Sequence, residues 1–359
     1  MRTVFLHVGT GKTGTSFVQE TLAGNKVKLD KHGILYPITG RGANAAAHHQ
    51  LLPALSNTPK WWMMPSEDDA SVFARLLSEI DESKAEIVYI SQEGLVWIER
   101  NMIERLKAVF KDFNVKIVID FRRQDDYVDS ALNQVVKTAG FTYSYDKLWN
   151  YDASWFVPNY HLQATKWASV FGNDNVIIRP YERQQFINGN IVDDFFSRTI
   201  GTMIELDPVS SNVADNAKLS QVSLEFKRLL NWIFADLPQE SLRFLKCLFD
   251  FDKAFNLTEG NIIGAQVRID LYRACMPQNM RIAQEFSQNQ TLPDKLFVEA
   301  FSVKNKPKFE GITEDQLISL LSFIKAHNAP LLRLISSYID KAQYDSSDEE
   351  RIDIIRKRL

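Results

Sequence analysis

Eight residues near the amino terminus, Gly9-Thr10-Gly11-Lys12-Thr13-Gly14-Thr15-Ser16, carry three glycines, one lysine and four hydroxyls. That composition suits anion binding. Glycines let backbone N–H groups turn inward, and the first turn of a following helix adds partial positive charge. Lys12 supplies a full charge, and the hydroxyls of Thr13, Thr15 and Ser16 can donate to phosphate oxygens. Gly11-Lys12-Thr13 reproduces the end of a Walker A loop, but that motif needs a glycine five positions before Gly11, where this chain has Leu6. The alternative is a glycine-rich turn with a solvated lysine. The density of donors in so short a loop favours phosphate.

A second candidate lies further on. Val115–Phe121 is strand-like and leads into Arg122-Arg123-Gln124-Asp125-Asp126-Tyr127-Val128-Asp129-Ser130. Ligands of α/β sheets bind where strands end and helices begin. A guanidinium at the strand exit and a hydroxyl eight residues later suit a second phosphate. Equally, Arg122 could pair with Asp126 or Asp129 and cap the helix.

Together the two segments resemble a known family. Lys12-Thr13-Gly14-Thr15-Ser16-Phe17 is similar to the loop that holds the 5′-phosphosulfate in sulfotransferases dependent on 3′-phosphoadenosine 5′-phosphosulfate (PAPS). Arg122 and Ser130 match that family's Arg…Ser pair for the 3′-phosphate. With Ser91-Gln92-Glu93-Gly94-Leu95 and Arg122-Arg123-Gln124-Asp125-Asp126, the chain looks most like bacterial carbohydrate-type sulfotransferases. The resemblance covers roughly residues 3–200. It implies a P-loop-like parallel sheet, with Gly11, Lys12, Thr13, Gly14, Thr15 and Ser16 around the 5′-phosphate. Phe17 takes the place where some members stack an aromatic ring on adenine, and Lys12 neutralises the leaving oxygen. It also implies a carbohydrate or glycolipid acceptor. Two departures stand out: Arg123-Gln124 replaces the Asn-Pro common after the family's arginine, and the C-terminal Arg-Lys-Gly element has no counterpart that can be placed.

Such a reaction needs a base for the acceptor proton. The family takes it from the strand end before the arginine strand, here Glu93, or from the loop after the second strand, here His48-His49. Glu93 is the first choice, then His49, then His48, and Glu93 is expected on a strand lying between those that carry Lys12 and Arg122. Against these roles, Glu93 could simply stabilise a helix dipole, and the histidines could be exposed loop residues. No His, Cys, Asp or Glu set has metal-ligand spacing, and sulfuryl transfer from PAPS requires no metal. A nucleotide kinase using ATP and Mg²⁺ is the alternative enzyme, and a non-catalytic nucleotide-binding module is the alternative outside catalysis.

The elements that must position these residues are legible as patterns. Strand-like runs at Thr3–Val8, Ile34–Tyr36, Glu86–Ser91, Val115–Phe121 and Asn175–Arg179 alternate with helical periods, which predicts an α/β fold with a parallel sheet flanked by helices. Val18 and Leu22 begin the first helical stripe, Val72, Phe73, Leu76, Leu77 and Ile80 form another, and Val128, Ala131, Leu132 and Val135 a third. Beyond about Asn216 the pattern is helical, at Leu219–Ala235, Glu240–Phe251 and Glu314–His327. The expected division is a PAPS-binding core at 1–215 and a helical region at 216–359, with a solvated or frayed tail from Asp345. Trp61-Trp62-Met63-Met64 reads as core or lid packing, or as flat faces for a sugar.

The 359 residues are 45% hydrophobic and 24% charged, ordinary for a globular enzyme. A net charge of −3 argues against broad binding to nucleic acid. Two cysteines, Cys247 and Cys275, with no CxxC, fit a reducing compartment. No apolar run approaches a membrane span and no secretory leader is visible, so the expected location is the cytoplasm.

Overall fold

A computed structural model describes the chain except for residues 43–44, 56–70, 139, 144–156, 210–217, 259–261, 288–293, 304–308, 310, 343 and 345. The tryptophan and methionine cluster at 61–64 lies outside the described residues. β-Branched runs form five strands: β1 (Thr3–Gly9), β2 (Ile34–Leu35), β3 (Ile87–Ser91), β4 (Asn114–Phe121) and β5 (Val176–Pro180). They make one parallel sheet in the order β2-β3-β1-β4-β5. The chain therefore has the α/β fold expected of it.

The helices, in chain order, are α1 (Thr15–Gly24), α2 (Lys26–Lys31), α3 (Leu51–Leu55), α4 (Val72–Glu82), α5 (Arg100–Val109), α6 (Gln124–Thr138), α7 (Tyr160–Phe171), α8 (Ile191–Ile200), α9 (Gln221–Ile233), α10 (Pro238–Leu242), α11 (Leu245–Ala254), α12 (Ala265–Phe286), α13 (Glu314–Tyr338) and α14 (Glu349–Arg358). None of them is long and apolar enough to cross a membrane, among the described residues.

Contacts divide the chain into two compact units. One comprises Met1–Arg123, Asn159–Asn212 and Arg273–Phe301, the other Gln124–Pro158, Val213–Tyr272 and Ser302–Leu359. A single cut at 215 does not describe this partition. Residues 124–158 group with the later helices, and 273–301 group with the sheet.

In the first unit the sheet is buried on both faces. Val4, Leu6, Val8, Val88, Ile90, Ile117, Ile119 and Ile178 point into one apolar cluster with α4, α5 and α7. Phe5, Tyr89 and Val118 point into the other, with α1 and α8. The period of two between the clusters is that of a strand covered on both sides. Strand order reverses about β1, with β3 on one side and β4 on the other. The carboxyl end of β1 is thus a switch point, where open α/β sheets bind ligands. Contrary to expectation, the Glu93 strand does not lie between those of Lys12 and Arg122; β1 itself is in the middle.

The second unit is helical around its own core. The segment expected as one helix at Glu240–Phe251 is two, α10 and α11, broken at Arg243–Phe244. The helix expected to stop at His327 continues to Tyr338, with a kink at Asn328 (φ −155°, ψ 64°). Pro330 explains the kink, because it lacks an N–H and its ring crowds the preceding turn.

The tail is not frayed. Asp348 is fully buried and receives two hydrogen bonds from the Arg228 guanidinium, at 2.6 and 2.8 Å, while Glu225 takes two more. Ile352 and Ile355 are buried behind it. Asp348→Ala removes charge-assisted hydrogen bonds from Arg228 but leaves it paired with Glu225, so a loss of about 1.5–3 kcal/mol is expected in urea unfolding, whereas a frayed tail would leave the midpoint unchanged.

Candidate functional site

The loop after β1 is built by backbone conformation. Gly9 has φ 111°, and a Cβ there would sit 2.5 Å from the Glu93 carbonyl oxygen, so only glycine admits that close approach. Gly14 (φ 72°) precedes α1, and its missing Cβ leaves room for Ile191 and Tyr181. Lys12 itself is left-handed at φ 65°, a conformation costly for a side chain and held only where surrounding contacts determine it.

The loop is tied to β4. Thr10 donates its N–H (2.7 Å) and its hydroxyl (3.0 Å) to the Asp120 carbonyl. Thr13 donates its hydroxyl to the Thr10 carbonyl. Thr10 and Thr13 are fully buried, so the Thr13 hydroxyl holds the loop's shape and is not presented to a phosphate. Its backbone N–H is a separate group. Thr15 is buried and Ser16 half-buried. The first turn of α1 carries no side-chain cap and no carboxylate, so its leading N–H groups keep the polarity that favours an anion.

Arg122 follows β4 directly. Its guanidinium donates to the Lys12 carbonyl (3.1 Å) and lies 5.6 Å from the centre of the Tyr181 ring. The first unit thus brings together the residues of the loop and Arg122. Asp125, Asp126 and Asp129 gather around Arg268, at 2.9, 2.9 and 3.5 Å, an ion-pair cluster that sequence reasoning did not find. Ser130 is buried on α6, in the second unit.

The three base candidates have different surroundings. Glu93 opens a 3₁₀ turn after β3, with Gln92 capping that turn through the Gly94 N–H. Its side chain is half-buried and reaches over the loop, with Cγ 3.7 Å from where a Cβ on Gly11 would be. One carboxylate oxygen accepts from Gln19 Nε2 at 3.0 Å. His49 is exposed, with Nδ1 3.4 Å from the Gln92 amide. His48 has no exposure: Nδ1 accepts the Ser91 N–H (3.2 Å), and Nε2 donates to the Pro37 carbonyl (3.1 Å). Both its nitrogens are taken by backbone, so His48 braces the loop after β2 and is not placed to receive an acceptor's proton.

Beside Gly14 lies a cleft of about 320 Å³, lined by Phe17, Tyr181, Arg183, Phe186 and Ile191. Phe17 is 37% exposed, and Tyr181 meets Phe186 edge to face at 5.5 Å. Aromatic walls at a helix N-terminus suit a flat, π-faced group attached to a phosphate. Sequence reasoning named Phe17 and missed the rest. The available signal was Tyr181 at the carboxyl end of β5, on the same sheet edge as Lys12 and Arg122.

No family model matches the chain. An uncharacterized protein of Archaeoglobus fulgidus is 25% identical over 217 residues, which are 60% of this chain and 54% of that protein. The chain thus spans about half the length of that relative. Among solved structures, a sulfotransferase from Alicyclobacillus acidocaldarius is similar over 65% of this chain and 93% of its own, at 18% identity and a TM-score of 0.41.

His48 offers a test of the loop's construction. Burial, and then the charge of Arg41, push its pKa down to about 3, against about 6.5 in an unfolded chain. As pH falls below the unfolded value, the unfolded chain gains a proton that the folded one refuses, so stability falls with pH. The slope from one such group is about 1.4 kcal/mol per pH unit. From roughly pH 6 to pH 4, His48→Gln should lose stability less steeply than wild type by about that slope. Parallel slopes would mean that His48 is protonated in the fold.

Proposed function

We propose that this chain transfers a sulfuryl group from PAPS to an acceptor hydroxyl or amine, on a carbohydrate or glycolipid. One observation carries the proposal. A phosphate-type loop without Walker A spacing has its lysine carbonyl bonded to the arginine of the next strand, beside an aromatic cleft and a half-buried carboxylate. A nucleotide with phosphate groups at both the 5′ and 3′ positions uses the loop, the arginine and the cleft, and the carboxylate is left for the acceptor.

In this scheme the N–H groups of Thr13, Gly14, Thr15 and Ser16 hold the 5′-phosphate, and the adenine enters the cleft of Phe17, Tyr181 and Phe186. Arg122 and Ser130 are assigned to the 3′-phosphate from their spacing in the chain. The acceptor oxygen forms a bond to sulfur as the bond from sulfur to the 5′-phosphate oxygen breaks. Lys12 neutralises the charge left on that oxygen. The acceptor's proton passes to Glu93, with His49 as the alternative base.

A Mg²⁺-dependent kinase is less well supported. Such an enzyme needs a strand-end carboxylate free to reach the metal. Asp120, the strand aspartate available, is 2% exposed and held by Arg179 and His7.

Adenosine 3′,5′-bisphosphate is expected to raise the melting temperature more than ATP with Mg²⁺ does. At a hundredfold excess over Kd, such binding stabilises by about 2.7 kcal/mol. A shift with ATP and Mg²⁺ but none with the bisphosphate rejects the proposal.

Glu93→Gln keeps the shape of the side chain and removes its basicity. Release of the bisphosphate from PAPS, with a pool of mono- and disaccharides as acceptors, should slow by roughly 10²–10⁴-fold, with bisphosphate binding intact. Near-normal turnover there, alongside a collapse in His49→Ala, would move the base to His49.

A further inference from the structure

Gln19 lies one helical turn past the loop, on α1, and is 3% exposed. A buried amide this close to a reacting site needs partners for its donors. Its Nε2 has two, each at 3.0 Å: Ser91 Oγ and Glu93 Oε2. Ser91 Oγ is in turn 2.8 Å from His7 Nδ1, and His7 Nε2 is 3.1 Å from Asp120 Oδ2. Asp120 receives two further hydrogen bonds from Arg179, at 2.8 and 2.9 Å.

The direction of this chain of hydrogen bonds is fixed from its buried end. Burial pushes the Asp120 carboxyl up, but Arg179 and then His7 outweigh it and hold the group below the ordinary aspartate value. An ionised carboxylate only accepts, so His7 Nε2 carries the hydrogen. Ser91 Oγ, 2.8 Å from His7 Nδ1, faces Gln19 as an acceptor. Turning the Gln19 amide over would set its oxygen against both Ser91 Oγ and the Glu93 carboxylate. The amide therefore presents its NH₂, one hydrogen to each.

We propose that Gln19 is a positioning residue for Glu93. Its hydrogen bond engages Oε2 and leaves Oε1 to receive the acceptor's proton. This proposal rests on Glu93 being the base. The side chain is held through Gln19, Ser91 and His7 to the ionic core of the sheet. Gln19 touches neither donor nor acceptor; it sets the rotamer and the working oxygen of the group that does.

The test combines kinetics with a spectroscopic signature. Gln19→Leu removes the donor at similar size, and Gln19→Glu keeps the shape but replaces the amide with a carboxyl. Both should lower kcat for release of adenosine 3′,5′-bisphosphate from PAPS, measured with the same sugar pool, by about ten- to a hundredfold. The KM for PAPS should not change. In nucleotide-free protein, the side-chain amide protons of Gln19 should resonate downfield and move upfield in Glu93→Gln. That measurement stands even where a Gln19 variant folds poorly. Wild-type kcat in both Gln19 variants, with a collapse in Glu93→Gln, overturns the positioning role alone. Gln19 amide resonances unmoved by Glu93→Gln overturn it as well. Near-normal turnover in Glu93→Gln, or no turnover of PAPS by wild type, removes the base assignment and this proposal with it.

Discussion

Two aspartates and two arginines at the carboxyl edge of the sheet are the constraint on which the site depends. Arg179, on β5, binds Asp120 of β4 with one nitrogen and Asp194 of α8 with the other two. Arg198 completes Asp194 at 2.7 Å. The cluster is neutral overall, and its inner three members are almost without exposure. A buried charge is tolerable only when paired and hydrogen-bonded, so none of the three can move alone. Their geometry fixes β4, β5 and α8 against one another.

Everything proposed for function is attached to that cluster by short links. The carbonyl of Asp120 anchors Thr10, and so the start of the loop. Its carboxylate orients His7, and through Ser91 and Gln19 the orientation reaches Glu93. Two residues past Arg179, Tyr181 continues the ladder by donating its N–H to the Phe121 carbonyl at 2.7 Å. Arg122, next to Phe121, returns to Lys12. The Tyr160 hydroxyl holds the Arg122 carbonyl at 2.7 Å, with its ring stacked on Phe121 at 4.2 Å. A loop with a left-handed lysine is a conformation a free peptide would leave; these links are what retain it.

Legibility in the sequence followed the range of the interaction. The five strands were legible because burial on both faces requires runs of β-branched residues, a local signal. The loop was legible because glycines, lysine and hydroxyls are adjacent in the chain. The aromatic cleft was legible only at Phe17, since Tyr181 and Phe186 lie far from it in the chain and alone look like core residues. The tail was misjudged for the same reason. Asp345 to Glu350 reads as solvated acid until Arg228, 120 positions from Asp348 in the chain, is known to bind it. Helix α8 could have been found, since Asn190 caps it through the Val192 and Asp193 N–H groups and two aspartates fill its first turn. His48 shows the opposite error: a histidine in a loop looks available, and burial removes it.

Carboxylates in this chain are thereby sorted by environment rather than by residue type. Asp120, Asp194 and Asp348 are saturated by guanidinium groups in water-poor surroundings, where exchanging a proton would undo the packing around them. Glu93 differs in two respects. It is half-buried, and the donor at its Oε2 is the neutral amide of Gln19. A neutral donor orients a carboxylate without opposing its protonation as strongly as a paired arginine does, because charge-assisted bonds are roughly twice as strong. The proposed role of Glu93 as base calls for that weaker hold. At the sheet edge the Arg179 ion pairs are buried, and a chain of hydrogen bonds through His7, Ser91 and Gln19 links them to Glu93.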